Sequence, residues 1–318
     1  MFLADIYKED NNSECLSGSM NTNNGKYIMR GQLKFNESMA KHTSWRAGGA
    51  VDAYFEPADL EDLCHFLADL DPDRPLLWVG LGSNLLVRDG GFRGTVIAYS
   101  KGLNNIQICD DGIVMAEAGV PCAKVARLTA DYGLTGAEFF VGIPGSIGGA
   151  LAMNAGAFGG ETWNIVSRVK TVNRTGNIKN HLPAAFSIGY RSVQFFAEEW
   201  FVSAKLKLQP DRDNNAKKLI KELLTKRTAT QPTGQPSCGS VFRNPPNGFA
   251  AKLIDQCGLK GKRIGNAAIS DKHANFIINL GEATASDIEA LIDYTRGVVS
   301  EKFNVNIIPE VQIIGERA

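Results

Sequence analysis

Residues 142–160, GIPGSIGGALAMNAGAFGG, hold seven glycines in nineteen positions and carry no charge. The stretch is too apolar for a solvated loop and too rich in glycine for an ordinary helix. Its first half, Gly142-Ile143-Pro144-Gly145-Ser146-Ile147-Gly148-Gly149, predicts a turn followed by a helix. Amides at such a helix start point outward and favour negative charge, so an uncharged segment could hold a pyrophosphate. Close helix packing through small residues fits the same spacing. A second motif, Gly80-Leu81-Gly82-Ser83-Asn84-Leu85, directly follows the strand predicted for PLLWVG (75–80). Here glycines would let amides approach an anion while Ser83 and Asn84 add side-chain donors, and a plain tight turn is the alternative. Leu85 occupies the third glycine position of the dinucleotide fingerprint, and a strand follows, so this is not a Rossmann motif. No GxxxxGK[ST] run occurs, which disfavours a P-loop nucleotidase.

The 318 residues suffice for two or three packed units. Lys plus Arg equals Asp plus Glu at 34 each, which argues against nucleic acid as a partner. No apolar run reaches the roughly 18 residues that a membrane helix needs. The first 33 residues turn acidic early and lack an apolar centre, so they read as a polar, disordered extension and not as a signal peptide. Met20 and Met29 leave a later start open. The six cysteines form no CxxC pair and no metal-ligand spacing with the four histidines, so no metal is expected. Such thiols fit a reducing cytoplasm.

Further along, AVDAYFE (50–56) alternates as a strand and PADLEDLCHFLADL follows as a helix. LLVRD and GTVIAYS flank a turn at Asp89-Gly90-Gly91. Hairpins are predicted at Asp111-Gly112 and at Arg174-Thr175-Gly176, with a helix over PCAKVARLTADYG and a strand over WFVSAKLKLQ (200–209). DNNAKKLIKELLTKRTATQP predicts an amphipathic helix with Leu219, Ile220, Leu223 and Leu224 on one face and a Glu222–Lys226 pair. NGFAAKLIDQCG reads as a short helix and NFIINL as a strand. A helix with a capping box at Thr284 and Asp287 follows, and VNIIPEVQII ends the chain as a strand. Hairpins outweigh strand–helix alternation, which predicts an α+β protein and not one doubly wound sheet.

In chain order, HTSWRAGG (42–49), VGLGSNLLV (79–87), GIPGSIGGALAMNAGAFG (142–159), GYRSV (189–193), SCGSVFRNP (237–245), SDKHANFIIN (270–279) and IIPEVQII (307–314) together resemble the UDP-N-acetylenolpyruvoylglucosamine reductases (UDP-N-acetylmuramate dehydrogenases) of peptidoglycan synthesis. Trp45 stands where that family usually has phenylalanine. The resemblance implies a two-lobed FAD-binding region of the vanillyl-alcohol-oxidase-like type (34–100 and 101–212). A substrate-binding α+β domain (213–305) and a C-terminal strand (306–318) bearing a catalytic glutamate would follow. It implies non-covalent FAD, NADPH as co-substrate, UDP-N-acetylglucosamine enolpyruvate as substrate, and a monomer. Only 48 residues separate Arg191 from Ser240. That leaves no room for the inserted element of the family's longer class, so its tyrosine clamp is not carried over.

By the same resemblance Arg191 would stabilise charge on the substrate carboxylate, Ser240 would donate the proton, and Glu310 would donate to the developing charge or orient a donor. Arg46, Gly80, Gly82, Ser83, Asn84, Leu85, Gly142, Pro144, Gly145, Ser146, Gly148, Gly149, Asn154 and Gly156 would contact FAD. Tyr190 and Asn244 would contact substrate, with Arg227, Gln231, Lys262 and His273 as further candidates for its anionic groups. Another flavin oxidase of this fold would share the glycine segments but would not need Arg191, Ser240 and Glu310. A binding module that had lost catalysis would not need to keep all three.

Overall fold

The computed structural model describes residues 22–23, 26–194 and 196–318. The first lobe contains β1 (Gln32–Ser38), β2 (Ala50–Glu56), α1 (Leu60–Asp69), β3 (Leu76–Val79), β4 (Leu85–Val87) and β5 (Phe92–Ala98). Its sheet runs β1-β2-β5-β3, with β2–β5 and β5–β3 parallel. The strands flanking Asp89-Gly90-Gly91 therefore do not pair with each other. Asp59 caps α1 by accepting from the Asp62 amide at 2.9 Å, which matches its place one residue before the apolar stripe. Of the expected extension, residues 1–21, 24 and 25 lie outside the described residues. Its end is tied down: the Tyr27 hydroxyl and the Arg30 amide both donate to Asp62, and β1 begins at Gln32, two residues before the expected start of the lobe at 34.

The second lobe contains β6 (Ile106–Ile108), β7 (Ile113–Glu117), α2 (Cys122–Asp131), α3 (Ile147–Met153), β8 (Val166–Asn173), β9 (Ile178–His181), β10 (Ser187–Gly189), β11 (Ser192–Gln194) and β12 (Glu199–Lys207). Its five-stranded antiparallel sheet runs β9-β8-β12-β7-β6, and β10–β11 is a separate hairpin. Both hairpins expected from turn residues form here. Phe140, Ile147, Leu151 and Leu206 fill the lobe's core.

α4 (Ala216–Thr230) buries Ala216 and Ile220 in that same core. By packing it belongs with the second lobe, not with the domain expected from 213. Leu219 is exposed rather than on the buried face, and Glu222–Lys226 is not among the ion pairs of the described residues. The remaining elements are α5 (Ala250–Gln256), β13 (Arg263–Ile264), β14 (Ala267–Ile269), β15 (Ile277–Asn279), α6 (Ala285–Phe303) and β16 (Gln312–Ile314). β13-β14-β15 form an antiparallel sheet under α6. The expected capping box holds: Asp287 N donates to Thr284 Oγ1 and Thr284 N to Asp287 Oδ2, each at 3.0 Å.

Trp45 and Leu86 of the first lobe enter the core of this last unit, and β16 pairs in parallel with β4. The terminal strand is shorter than expected, and Glu310 lies just ahead of it. No helix among the described residues is long and apolar enough to cross a membrane.

Candidate functional site

The two glycine segments face each other across a cavity of about 430 Å³. Gly80, Gly82, Ser83, Asn84 and Leu85 line one wall, and Gly145, Ser146, Gly148 and Gly149 another. Gly82 is left-handed (φ 60°), and a Cβ there would lie 2.0 Å from the His42 carbonyl oxygen. A Cβ on Gly80 would lie 2.2 Å from Ser146 Oγ, so close approach of the segments requires a bare backbone at that position too.

Among the described residues the amides of Gly80 through Asn84 donate to no protein acceptor, although Gly82 is buried. Buried amides are almost always paired, so this row fits an anionic ligand. The Ser146 hydroxyl is buried and makes no hydrogen bond of good geometry, though it faces Tyr99, whose own hydroxyl burial pushes up to about 12. Neutral donors of this kind suit a pyrophosphate such as that of FAD.

The start of α3 fits the packing alternative at two of its amides. Ile147 N and Gly148 N donate to the carbonyls of Val120 and Ala118, at 2.9 and 2.8 Å, and do not open onto the cavity. Only Gly145, Ser146 and Gly149 keep unpaired amides there. Small residues therefore serve both packing and an open cradle. Gly142 serves packing, since a Cβ would meet that of Ala157 at 2.6 Å. Asn154 is spent within the protein: its amide group donates to Glu161 (3.0 Å) and the Gly189 carbonyl (3.1 Å), and its oxygen accepts from Trp163 N (3.2 Å). It thereby docks the β10–β11 hairpin.

That hairpin presents Tyr190-Arg191 at its turn, with Arg191 left-handed (φ 51°). The Arg191 guanidinium donates to the carbonyls of Asn154 (3.3 Å) and Gly156 (2.6 Å), and its Nε stands 3.4 Å from Glu310 Oε1. It also lies over the Tyr190 ring, 5.1 Å from the centroid. Of the guanidinium's five N–H groups, two go to these carbonyls and Nε–H faces Glu310, so one on each terminal nitrogen remains for a ligand. Burial raises the pKa of Glu310, and the nearby charges of Arg191 and Arg243 offset this only in part.

Ser240 reaches the same corner across a short bridge. Its neighbour Val241 accepts from Glu310 N at 2.7 Å, and Phe242 pairs with Pro309. The Ser240 hydroxyl is half-buried and has no protein partner among the described residues. Sequence separations of 49 and 70 residues are thus spanned: the backbone beside Ser240 pairs with that of Glu310, and Glu310 faces Arg191.

Arg46, Pro144, Arg227 and Gln231 line a second cavity of about 500 Å³, together with Ser237 and Gly239 beside Ser240. Arg227 donates to the Val141 carbonyl (2.9 Å) and to Gln231 Oε1 (3.3 Å), and burial lowers its pKa. It has no carboxylate partner among the described residues. His273 packs edge-on against Phe276 of this cavity, and burial, helped by Lys260, holds it toward the neutral form.

Two candidates lie elsewhere. Asn244 is exposed and accepts from Ala250 N at 3.1 Å, capping α5. Lys262 is exposed with its ammonium over Tyr294. Neither lines either of these two cavities. Conversely, Tyr99, Trp200 and Gln312 line the first cavity without being among the expected site residues, although Gln312 falls within IIPEVQII. They come from three separate strands or their ends, so only pairing brings them together. No cluster of three His, Cys, Asp or Glu suited to a metal occurs among the described residues.

Residues 51–181 match the family model described as an FAD binding domain, and residues 231–314 the one described as the C-terminal domain of UDP-N-acetylenolpyruvoylglucosamine reductase. The chain is 55% identical over 287 residues to the UDP-N-acetylenolpyruvoylglucosamine reductase of Methylococcus capsulatus, which covers 90% of this chain and 94% of that protein. It is 54% identical over 289 residues to that of Alkalilimnicola ehrlichii, covering 91% and 97%. Its fold is similar to the crystal structure of the Thermus caldophilus reductase, with a TM-score of 0.77 and 30% identity, covering 90% of this chain and 99% of that one. With a C-terminal domain of matching type and relatives of this identity over nearly the whole chain, the protein belongs to the UDP-N-acetylenolpyruvoylglucosamine reductase family of FAD-dependent oxidoreductases.

Proposed function

We propose that the chain reduces UDP-N-acetylglucosamine enolpyruvate to UDP-N-acetylmuramate, using NADPH as the source of hydride. The observation that carries this is the Arg191–Glu310 pair beside Ser240, next to the glycine-lined cavity. Bound FAD supplies hydride transfer between NADPH and the enol ether. The amides of Gly80–Asn84, with those of Gly145, Ser146 and Gly149, would hold its pyrophosphate.

The alkene is electrophilic only through conjugation with its carboxylate. Hydride addition to one alkene carbon drives the electron pair toward that carboxylate and forms an enolate. Arg191, with two N–H groups left, binds the carboxylate and stabilises this charge. Glu310, biased toward its protonated form by burial, donates a hydrogen bond to the same charge. Ser240 then gives its proton to the carbon beside the carboxylate. A hydroxyl is a weak acid, but an enolate carbon is basic enough for it when the two are held together. Arg46, Arg227 and Gln231 of the second cavity receive the diphosphate of the sugar nucleotide and, in its turn, the anionic groups of NADPH.

The test is anaerobic mixing of the flavin-loaded protein, first with NADPH and then with the enolpyruvyl substrate. Loss of the oxidised-flavin absorbance followed by its recovery is expected. Folded protein that takes up no FAD, or reduced flavin that substrate does not reoxidise, would overturn the reading.

A further inference from the structure

The loop that carries Ser240 does not stand alone. Cys238, two residues earlier, is 4% exposed, and its thiol faces the carbonyls of Gly82 at 3.8 Å and Leu85 at 3.7 Å. Those carbonyls belong to the glycine turn whose amides line the first cavity. Burial pushes the thiol up to about 12, so it stays protonated and remains a donor. Gly239, left-handed at φ 72° with open space around it, then swings the chain so that Ser240 follows.

The same turn holds the other side of the site. Asn84 Nδ2 donates to the Glu310 carbonyl at 3.1 Å, and Gln312 N donates to the Asn84 carbonyl at 3.0 Å. The backbone segments bearing Ser240 and Glu310 are therefore both fastened to one six-residue stretch, Gly80–Leu85, by groups other than its amides. The Gly82 carbonyl shares one planar peptide with the Ser83 amide, so fixing that amide on a pyrophosphate fixes that carbonyl. The Leu85 carbonyl begins β4, into which the same turn leads.

We propose that Cys238 is a positioning residue for proton donation: through the Gly82 and Leu85 carbonyls it couples the seating of the cofactor pyrophosphate to the placement of Ser240. This rests on the reading of Ser240 as proton donor. Cys238 lines neither of the two cavities. Its effect should fall on the step that uses Ser240 and spare the step that does not.

The experiment uses the full-length protein loaded with FAD and compares wild type, Cys238→Ala and Cys238→Ser. The flavin is reduced with one equivalent of dithionite, which bypasses NADPH, and is then mixed anaerobically with UDP-N-acetylglucosamine enolpyruvate in H₂O and in D₂O. Cys238→Ala is expected to retain flavin and to be reduced by NADPH at the wild-type rate. Its reoxidation by substrate should slow roughly ten- to a hundredfold, as a misplaced reacting group does, with a larger solvent isotope effect. Cys238→Ser, which keeps an O–H donor, should recover part of the loss. Equal slowing of both half-reactions in both variants would mean a merely structural role. Unchanged reoxidation would mean that the thiol positions nothing, and either result overturns the proposal. Should Cys238→Ala fail to fold, the serine variant carries the test, because its shorter C–O bond still weakens the contact. Failure of wild-type reoxidation would instead overturn the underlying function.

Discussion

Glu310 Oε1 lies 3.4 Å from Arg191 Nε, and both side chains are largely buried, at 14% and 16% exposure. Yet burial leaves the carboxyl with a raised pKa despite the adjacent cation. The guanidinium also has two backbone carbonyls to satisfy, and Glu310 accepts no hydrogen bond from a side chain among the described residues. A carboxyl that resists ionisation beside a fixed positive charge is a costly arrangement for stability, and such arrangements gather at functional sites.

Glu310→Gln should therefore melt higher than wild type at neutral pH. A raised folded pKa means that stability is fully present below the ordinary carboxylate pKa and is lost as pH rises through the folded value. The gap between variant and wild type should narrow as the buffer is taken into the acid range. Thermal melts across pH check this, and a variant that is less stable at every pH would contradict it. The rate of wild-type turnover should fall as pH rises through the same value, and the variant should lack that limb.

Arg191→Ala should bind FAD normally and lose about 10²–10³-fold in kcat, the size of effect seen when a fixed donor to developing negative charge is removed. Flavin absorbance of the purified variant and steady-state rates decide it. Protein that arrives without flavin would show that Arg191 serves the fold, through its bonds to Asn154 and Gly156.

Ser240→Ala should still be reduced by NADPH while substrate fails to reoxidise it. Stopped-flow traces of the two half-reactions separate these steps. Equal damage to both would remove Ser240 from the role of proton donor.

Gly82→Ala should lose the cofactor. The added methyl would need a left-handed backbone and would sit 2.0 Å from the His42 carbonyl, so the turn must shift and its row of amides with it. Titration of the apo-protein with FAD, followed by fluorescence, is the check. Wild-type affinity would mean that the turn is not the phosphate cradle.

Asp89→Ala should destabilise the protein by about 1–2 kcal/mol through loss of a helix cap. Its carboxylate accepts from Ala285 N at 2.9 Å, and from Ser286 N and Oγ at 2.8 and 2.6 Å, so a first-lobe turn caps α6 of the last unit. Burial works against the charge, but these donors hold the carboxyl below its ordinary value. The contribution is present above the ordinary carboxylate pKa and fades as pH falls through the folded one. Urea denaturation at neutral and acidic pH reads both effects.

Local chemistry alone determined a good deal. Alternation marked Ala50–Glu56 and Glu199–Lys207, Asp111-Gly112 and Thr175-Gly176 marked hairpins, and Thr284 with Asp287 marked a helix start, because each depends on residues within a few positions of one another. The glycine segments declared a bare backbone for the same reason. Tertiary structure decided what each local feature is used for. The turn at Asp89 reads as a plain turn between two strands but caps a helix almost two hundred residues away. The first amides of α3 read as open donors, but the carbonyls of Ala118 and Val120 take them. α4 reads as the start of a new domain and packs on the previous one. Asn154 reads as a cofactor contact and spends its amide on the hairpin that delivers Arg191. In every case the partner lies far off in the chain. A hydrogen-bonding group or apolar face advertises that it needs a partner, and only the folded arrangement of strands and helices says which one it gets.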